Sequence, residues 1–250
     1  MTDTAASLQK EKAFVHLSVL AEAAPPALLT DPDGIYVDAT FGRGGHSRRI
    51  LAALSPKGRL IAFDRDPEAV RAAASITDPR FTIIPAPFSR MQAELSARDV
   101  TSVTGVLMDI GVSSPQIDDA ERGFSFRFDG PLDMRMDTEH GITAAQWLAK
   151  APAEDIEKVL KIYGEERMAG RIARTICEVR KTEIIDRTAQ LARIIASAVP
   201  RSRQDPQQHP ATRSFQAIRI FINGELDERT AALEEAGGLL KLSLIPLAEP

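Results

Sequence analysis

Asp38-Ala39-Thr40-Phe41-Gly42-Arg43-Gly44-Gly45-His46 is the stretch on which the reading of the fold turns. Gly34 to Ala39 leads into it, apolar and rich in β-branched and aromatic side chains, and Ser47 to Leu54 follows with apolar residues at helical spacing. A strand, a glycine-rich turn and a helix in that order bring backbone close to whatever lies beyond the strand, because glycine has no Cβ to intrude. A purely structural turn would carry the same glycines, so the neighbouring elements decide its weight.

Working outward, Arg59 to Asp64 reads as a second strand and Pro67 to Ala74 as a helix with proline near its start. Phe81 to Ile84 reads as a third strand and Val103 to Ile110 as a fourth. Short apolar runs of this kind belong to parallel strands covered on both faces. The β-α-β-α-β-β order predicts a doubly wound α/β sheet. Asp64 ends the second strand about 20 residues after the turn, the place where such folds use a carboxylate to accept ribose hydroxyls. The glycines run Gly42-Arg43-Gly44-Gly45, not G-x-G-x-x-G. That order disfavours a pyrophosphate at the helix start and favours an adenosine ligand without phosphate, such as S-adenosylmethionine. The competing enzyme class, an NAD-dependent oxidoreductase, expects the full glycine order and a catalytic Lys, Tyr or His near the fourth strand.

The fourth strand runs into Asp109-Ile110-Gly111-Val112-Ser113-Ser114-Pro115-Gln116. Enzymes that methylate exocyclic amines often carry Asp/Asn/Ser-Pro-Pro-aromatic here, and this stretch matches it loosely, without the aromatic. The lone pair of a base's amino group is delocalised into the ring. An acceptor on the N–H returns electron density to nitrogen and can accompany proton loss. Asp109, Ser113, Ser114 and Pro115 are therefore the catalytic candidates, with Asp109 as a plain turn residue the blander alternative.

Beyond Ile110 the texture changes. Gly111 to Asp137 reads as loop, then Ala144 to Lys150, Ala153 to Tyr163, Glu166 to Arg180 and Thr188 to Val199 as four helices with no strand between them. Arg201 to Pro210 reads as a polar linker, Thr212 to Glu235 as one long helix and Leu239 to Ile245 as a last strand. The expected organisation is a core of residues 1–115, a helical substrate-recognition insertion of 116–209, and a second, incomplete part of the core at 210–250. From Arg167 to Arg219 there are 11 Lys/Arg against 4 Asp/Glu, so this segment carries +7 in a chain of net charge −4, and the remainder carries −11. An acidic body with one basic segment suits contact with a phosphate backbone, although solvated helix faces give the same pattern. Arg167, Arg171, Arg174, Arg201, Arg203 and Arg213 are the RNA-binding candidates, the first three falling at i, i+4, i+7 on one helix face. Trp147 and Tyr163 read as helix-packing residues.

With 250 residues, 44% of them hydrophobic, the chain can bury one core and a satellite domain. One cysteine, Cys177, precludes an intramolecular disulfide and fits a reducing compartment. The four histidines are scattered, so no metal site is expected. Met1 to Lys12 is polar, unlike a signal peptide. No apolar run approaches the ~20 residues of a membrane span, so a soluble cytoplasmic protein with no membrane partner is expected.

Several blocks together resemble one family, the bacterial 16S rRNA cytidine-N4 methyltransferases of the RsmH/MraW type. They are His16 to Leu20, Asp38 to His46, Phe63 to Pro67, Pro87 to Ser89, Asp109 to Gln116, Asp118 to Phe126, Asp129 to Asp137, Tyr163 to Arg167 and His209 to Arg219. The resemblance implies a Rossmann-like class I S-adenosylmethionine-dependent methyltransferase with an inserted all-helical domain. It implies cofactor contacts at Gly44, Gly45, His46, Asp64, Phe88, Asp109 and Gln116, with Asp64 on the ribose hydroxyls and Phe88 against adenine. It implies a cytidine of the decoding region as target, in 16S rRNA or the small ribosomal subunit, and leaves a homodimer open. The end departs from the family pattern. Where relatives continue into Gly-Gly-Arg-Leu-Ser and Phe-His-Ser-Leu-Glu-Asp, this sequence reads Ala236 to Pro246 and stops at Pro250. Missing closing strands would leave an uncovered sheet edge, lower stability and weaken cofactor binding. A non-enzymatic RNA-binding relic is the second alternative; it would bind RNA with steep salt dependence and transfer no methyl.

Overall fold

The computed structural model describes residues 24–200 and 207–240. A short helix α1 (Ala24–Leu28) precedes β1 (Ile35–Asp38), α2 (Gly45–Ala53), β2 (Arg59–Phe63), α3 (Pro67–Ala73), β3 (Phe81–Ile84), α4 (Met91–Ser96) and β4 (Gly105–Leu107). All strand pairs are parallel and the order is β3-β2-β1-β4. The register sets Tyr36 beside Leu60 and Gly105, and Val37 beside Ile61 and Val106.

Side chains alternate across a strand, and the two faces sort accordingly. Tyr36 and Leu60 pack with Ile50 and Leu51 of α2 and with Leu54 just past its end, and Ala62, on the same face, packs with Ala69 and Ala73 of α3. Val37, Ile61 and Phe63 point the other way, onto Met91 and Leu95 of α4 and onto Leu239. Helices thus cover both faces, as the apolar runs predict. The chain changes faces between β3 and β4, and the strand order reverses between β1 and β4. That is the crevice where open α/β sheets take their ligands.

Several expectations are corrected. The fourth strand ends at Leu107, not Ile110. The N–H of Ala39 still bonds the Leu107 carbonyl at 2.9 Å, but the N–H of Asp109 turns to the Thr40 hydroxyl at 2.8 Å and leaves the ladder. Helix α4 lies between the third and fourth strands, where the sequence suggested none; only Met91 and Leu95 are buried on it, too few to show a period. The expected loop 111–137 holds a short helix α5 (Ser114–Asp118) and a 3-10 turn over Ala120–Arg122.

Four helices follow: α6 (Ala144–Lys150), α7 (Ala153–Gly164), α8 (Ala169–Val179) and α9 (Thr188–Ala198). The Thr143 hydroxyl caps α6 by accepting from the Gln146 N–H, and the Gln146 side chain returns the bond. Leu148, Ile156, Leu160, Ile172, Ile176, Leu191 and Ile195 form their common core.

The single helix expected over 212–235 is two: α10 (Thr212–Asn223) and α11 (Glu225–Leu239). Gly224 breaks them with φ of 57°, a conformation cheap for glycine and costly for other residues. Arg219 clamps the break, donating to both carboxylate oxygens of Glu225 at 2.8 and 3.0 Å. Helix α10, assigned from the sequence to the second part of the sheet domain, contributes Phe215, Ala217 and Ile218 to the helical core. Helix α11 returns to the sheet: Glu228 accepts from the Ser89 hydroxyl at 2.9 Å, and Glu235 accepts from the N–H of Gln92 at the start of α4. At the start of the strand expected over 239–245, Leu239 ends α11 and Leu240 makes a parallel bridge with Val103. Residues 241–245, the His16 block and the polar start lie outside the described residues.

Candidate cofactor and methyl-transfer site

Three carboxylates end the strands that meet at the crevice: Asp38 on β1, Asp64 just past β2, and Asp109 beyond β4. Each does something different because its surroundings differ.

Asp38 is fully buried. The Ser47 hydroxyl donates to its Oδ2 at 2.6 Å and the N–H of Thr40 to its Oδ1 at 3.2 Å. Burial pushes its carboxyl above the ordinary range, against the pull of the Ser47 bond. Its task is structural: it ties the first turn of α2 to the end of β1. The Thr40 hydroxyl then receives the Asp109 N–H, joining the ends of β1 and β4 across the crevice.

Asp64 is half-buried at the lip. Its Oδ2 accepts the N–H of Gly42 at 2.8 Å, and its Oδ1 accepts the N–H of Asp66 at 2.9 Å. Burial raises its pKa to about 6; the two amide bonds pull the other way, and the nearby Asp66 and Asp38 add to the rise. Each oxygen keeps a further lone-pair direction, so the group can still accept a pair of vicinal hydroxyls.

Between these carboxylates runs the turn. Gly44 has φ of 75° and precedes α2 with no side-chain cap. A Cβ there would stand 2.8 Å from the Phe41 ring. The first amides of a nine-residue helix are thus left for an anion, which the helix end favours electrostatically. His46 is buried within that first turn; its Nε2 is 3.7 Å from Asp109 Oδ2, and its Nδ1 has no hydrogen-bond partner among the described residues. Asp109 itself is half exposed.

The structure therefore brings Gly44, Gly45, His46, Asp64 and Asp109 to one sheet edge. Phe88, predicted to meet adenine, opens a 3-10 turn two residues after Ala86 and lies half-buried against the sheet core. The donor set suits S-adenosylmethionine: uncapped amides for its carboxylate, Asp64 for its ribose and an aromatic ring for its adenine. Ser113, Ser114 and Pro115 start α5, and the N–H of Ser113 donates to Gln116 Oε1 at 2.9 Å. The Gln116 side-chain amide, predicted to reach the cofactor, donates to Asp66 at 2.8 Å.

Arg171 and Arg174 stand exposed on α8, one helical turn apart, but Arg167 precedes the helix, so the expected three-arginine face is two. Arg213 is exposed near the start of α10 and donates to the Glu165 carbonyl at 3.4 Å. Arg201 and Arg203 lie outside the described residues. Trp147 and Tyr163 both pack against Phe221, with ring centroids 4.6 and 6.5 Å away. Among the described residues no cluster of His, Cys, Asp or Glu is arranged to hold a metal, and no helix is long and apolar enough to cross a membrane.

Sequence reading alone missed Asp66 and Arg122. Both are buried and charged, and Arg122 Nη1 donates to Asp66 Oδ2 at 2.9 Å. The signal was present in Asp64-Arg65-Asp66-Pro67, where an aspartate before a proline marks a helix cap, but nothing in spacing links it to an arginine 56 residues on.

The model of the MraW methylase family matches residues 13–244. A protein of Thiobacillus denitrificans named Ribosomal RNA small subunit methyltransferase H is 57% identical over 231 residues, 90% of this chain and 74% of its own length. Its namesake in Alteromonas mediterranea is 57% identical over 229 residues, 91% of this chain and 72% of its own length. A solved Clostridium thermocellum chain overlaps 39% of this chain and 54% of its own length at 19% identity, with a TM-score of 0.34, too slight a likeness to argue from. A parallel sheet with its carboxylates at the switch point, matched over nearly its whole length by one family, leaves a single assignment: the chain belongs to the MraW methylase family.

Proposed function

We propose that the protein transfers a methyl group from S-adenosylmethionine to N4 of a cytidine in the decoding region of 16S rRNA, in the cytoplasm. The observation that carries this reading is the convergence of Asp64, His46 and Asp109 on one crevice in a chain of this family. The cofactor supplies an electrophilic methyl group on a sulfonium. The protein's part is to hold it and to aim the amine. Asp64 takes the ribose hydroxyls, the amides at the start of α2 take the carboxylate, and Phe88 lies against adenine. Asp109 accepts an N–H of the cytosine amine, and the Ser113-Ser114-Pro115 turn walls the other side of the base. With the reacting atoms in line, positioning supplies most of the acceleration. The cytidine must leave its stack to enter, and the exposed arginines Arg171, Arg174 and Arg213, with Arg167, Arg201 and Arg203, hold the flanking phosphates. The substrate is 16S rRNA or the small subunit that contains it.

The test is transfer of a tritiated methyl group to small-subunit rRNA from cells that lack the modification, with Asp109→Ala beside the wild type. Incorporation at cytidine N4 that falls on the order of 100-fold in the variant supports the reading; incorporation elsewhere, or none, refutes it.

A further inference from the structure

Asp66 is a buried carboxylate that accepts three hydrogen bonds, and no step of methyl transfer touches it. Its side chain caps α3 through the N–H of Glu68 at 2.9 Å. The other oxygen receives Gln116 Nε2 at 2.8 Å and Arg122 Nη1 at 2.9 Å. All three side chains are buried. Asp66 is joined to the ribose carboxylate, since its own N–H donates to Asp64. Gln116 in turn accepts the N–H of Ser113. An unbroken hydrogen-bonded path thus runs from Gly42 through Asp64, Asp66 and Gln116 to the Ser113 turn.

Arg122 is where the helical part joins that path. Its Nη2 donates to the carbonyls of Arg135 and Met136, both at 3.1 Å. The same segment is held on its far side by Asn223 at the end of α10, which donates to the Met134 carbonyl and accepts the Met136 N–H, each at 2.7 Å. A buried guanidinium is costly to desolvate and adds little net stability when paired. Its planar fork, however, fixes direction in a way that an ammonium cannot.

Resting on the function proposed above, we infer that Arg122 is a positioning residue for methyl transfer: through Asp66 and Gln116 it sets the Ser113-Ser114-Pro115 turn against the ribose-binding lip, and it registers the helical part to both. Arg122 touches neither cofactor nor base. Without it, Asp66 Oδ2 loses one of its two donors, Gln116 loses its anchor geometry, and the turn drifts. A displacement of about 1 Å at such a turn is enough to cost about 100-fold in rate.

The experiment uses the full chain as wild type, Arg122→Lys, Arg122→Met and Gln116→Leu. Hydrogen exchange of the peptide 111–117 is read first, because it needs no activity. Faster exchange there in Arg122→Met and Gln116→Leu, an intermediate rate in Arg122→Lys, and unchanged protection of 35–63 support the proposal. Unchanged exchange in 111–117 overturns it, and so does equal loss of protection across the whole sheet, which marks plain destabilisation. Methyl transfer is read second: kcat should fall by about 100-fold in Arg122→Met, while the Kd for S-adenosylmethionine stays within about threefold. A fall in cofactor affinity with kcat unchanged contradicts the assignment. A wild type that transfers no methyl group sinks the proposed function instead, and the exchange result still decides the role of Arg122.

Discussion

Asp64 Oδ2 accepts the backbone N–H of Gly42 at 2.8 Å, so the carboxylate proposed to take a ribose also holds the glycine turn beside it. One side chain is thereby responsible for a contact and for the geometry around it, and its protonation matters to both.

Because burial raises Asp64 to about 6 from 3.8, the folded protein binds more protons than the unfolded chain between those values. This group's contribution to stability is therefore fully present below the lower value and is lost as pH rises through the upper one. Two ribose hydroxyls donate to the ionised form and lower the pKa on binding, so cofactor affinity must move the opposite way, strengthening as pH rises. Calorimetry should show S-adenosylmethionine binding about tenfold weaker one unit below the Asp64 pKa than well above it. Asp64→Asn should lack that slope.

Gly44→Ala tests the turn. The new Cβ would stand 2.8 Å from the Phe41 ring in a backbone with φ of 75°, so both crowding and strain oppose it. The expected cost is about 1–3 kcal/mol in chemical denaturation, with weaker cofactor binding at the displaced amides. A variant as stable and as tight as wild type would show that the turn tolerates a side chain.

Gly224→Ala separates strain from crowding, because nothing lies within 4 Å of the added Cβ while φ is 57°. A loss of about 1 kcal/mol is expected from conformation alone. Removing the clamp as well, with Glu225→Gln, should cost more than the sum of the single changes if Arg219 and Glu225 hold α10 and α11 at their angle.

Phe63 is fully buried between β2 and α4, and Phe63→Ala should cost about 3–5 kcal/mol by transfer and cavity. The melting curve checks it; a shift of a degree or two would mean that the sheet face is not packed as described.

Arg171→Ala with Arg174→Ala should weaken RNA binding alike for all sequences and reduce the slope of log K against log salt by about 2. Filter binding across a salt series reads it, and an unchanged slope would place the phosphate contacts elsewhere.

The strand-turn-helix around Asp38 to His46 was legible because its signals are local: a β-branched run, a cluster of glycines, and apolar residues at helical spacing. The third strand, Phe81–Ile84, and α6, Ala144–Lys150, have the bounds their sequence suggested. What escaped depends on pairing across the chain. The fourth strand reads apolar to Ile110, yet it stops at Leu107 because Thr40, 69 residues earlier, takes the Asp109 N–H. The helical pattern of 212–235 runs through Gly224, whose left-handed backbone is held by a clamp, Arg219 to Glu225, that looks like ordinary surface charge in sequence. Asp64 and Asp109 could be named from position, but the Asp66–Arg122 pair could not, since a buried ion pair leaves no periodicity.

The central claim is that Asp64 at the switch point grips the cofactor's sugar. Titrating S-adenosylmethionine into wild type and Asp64→Ala at a pH well above 6 measures it directly. The account predicts saturable one-site binding by the wild type and a loss of at least about tenfold in the variant, the worth of a hydrogen bond to a charged acceptor. Equal affinity in the two proteins would contradict it.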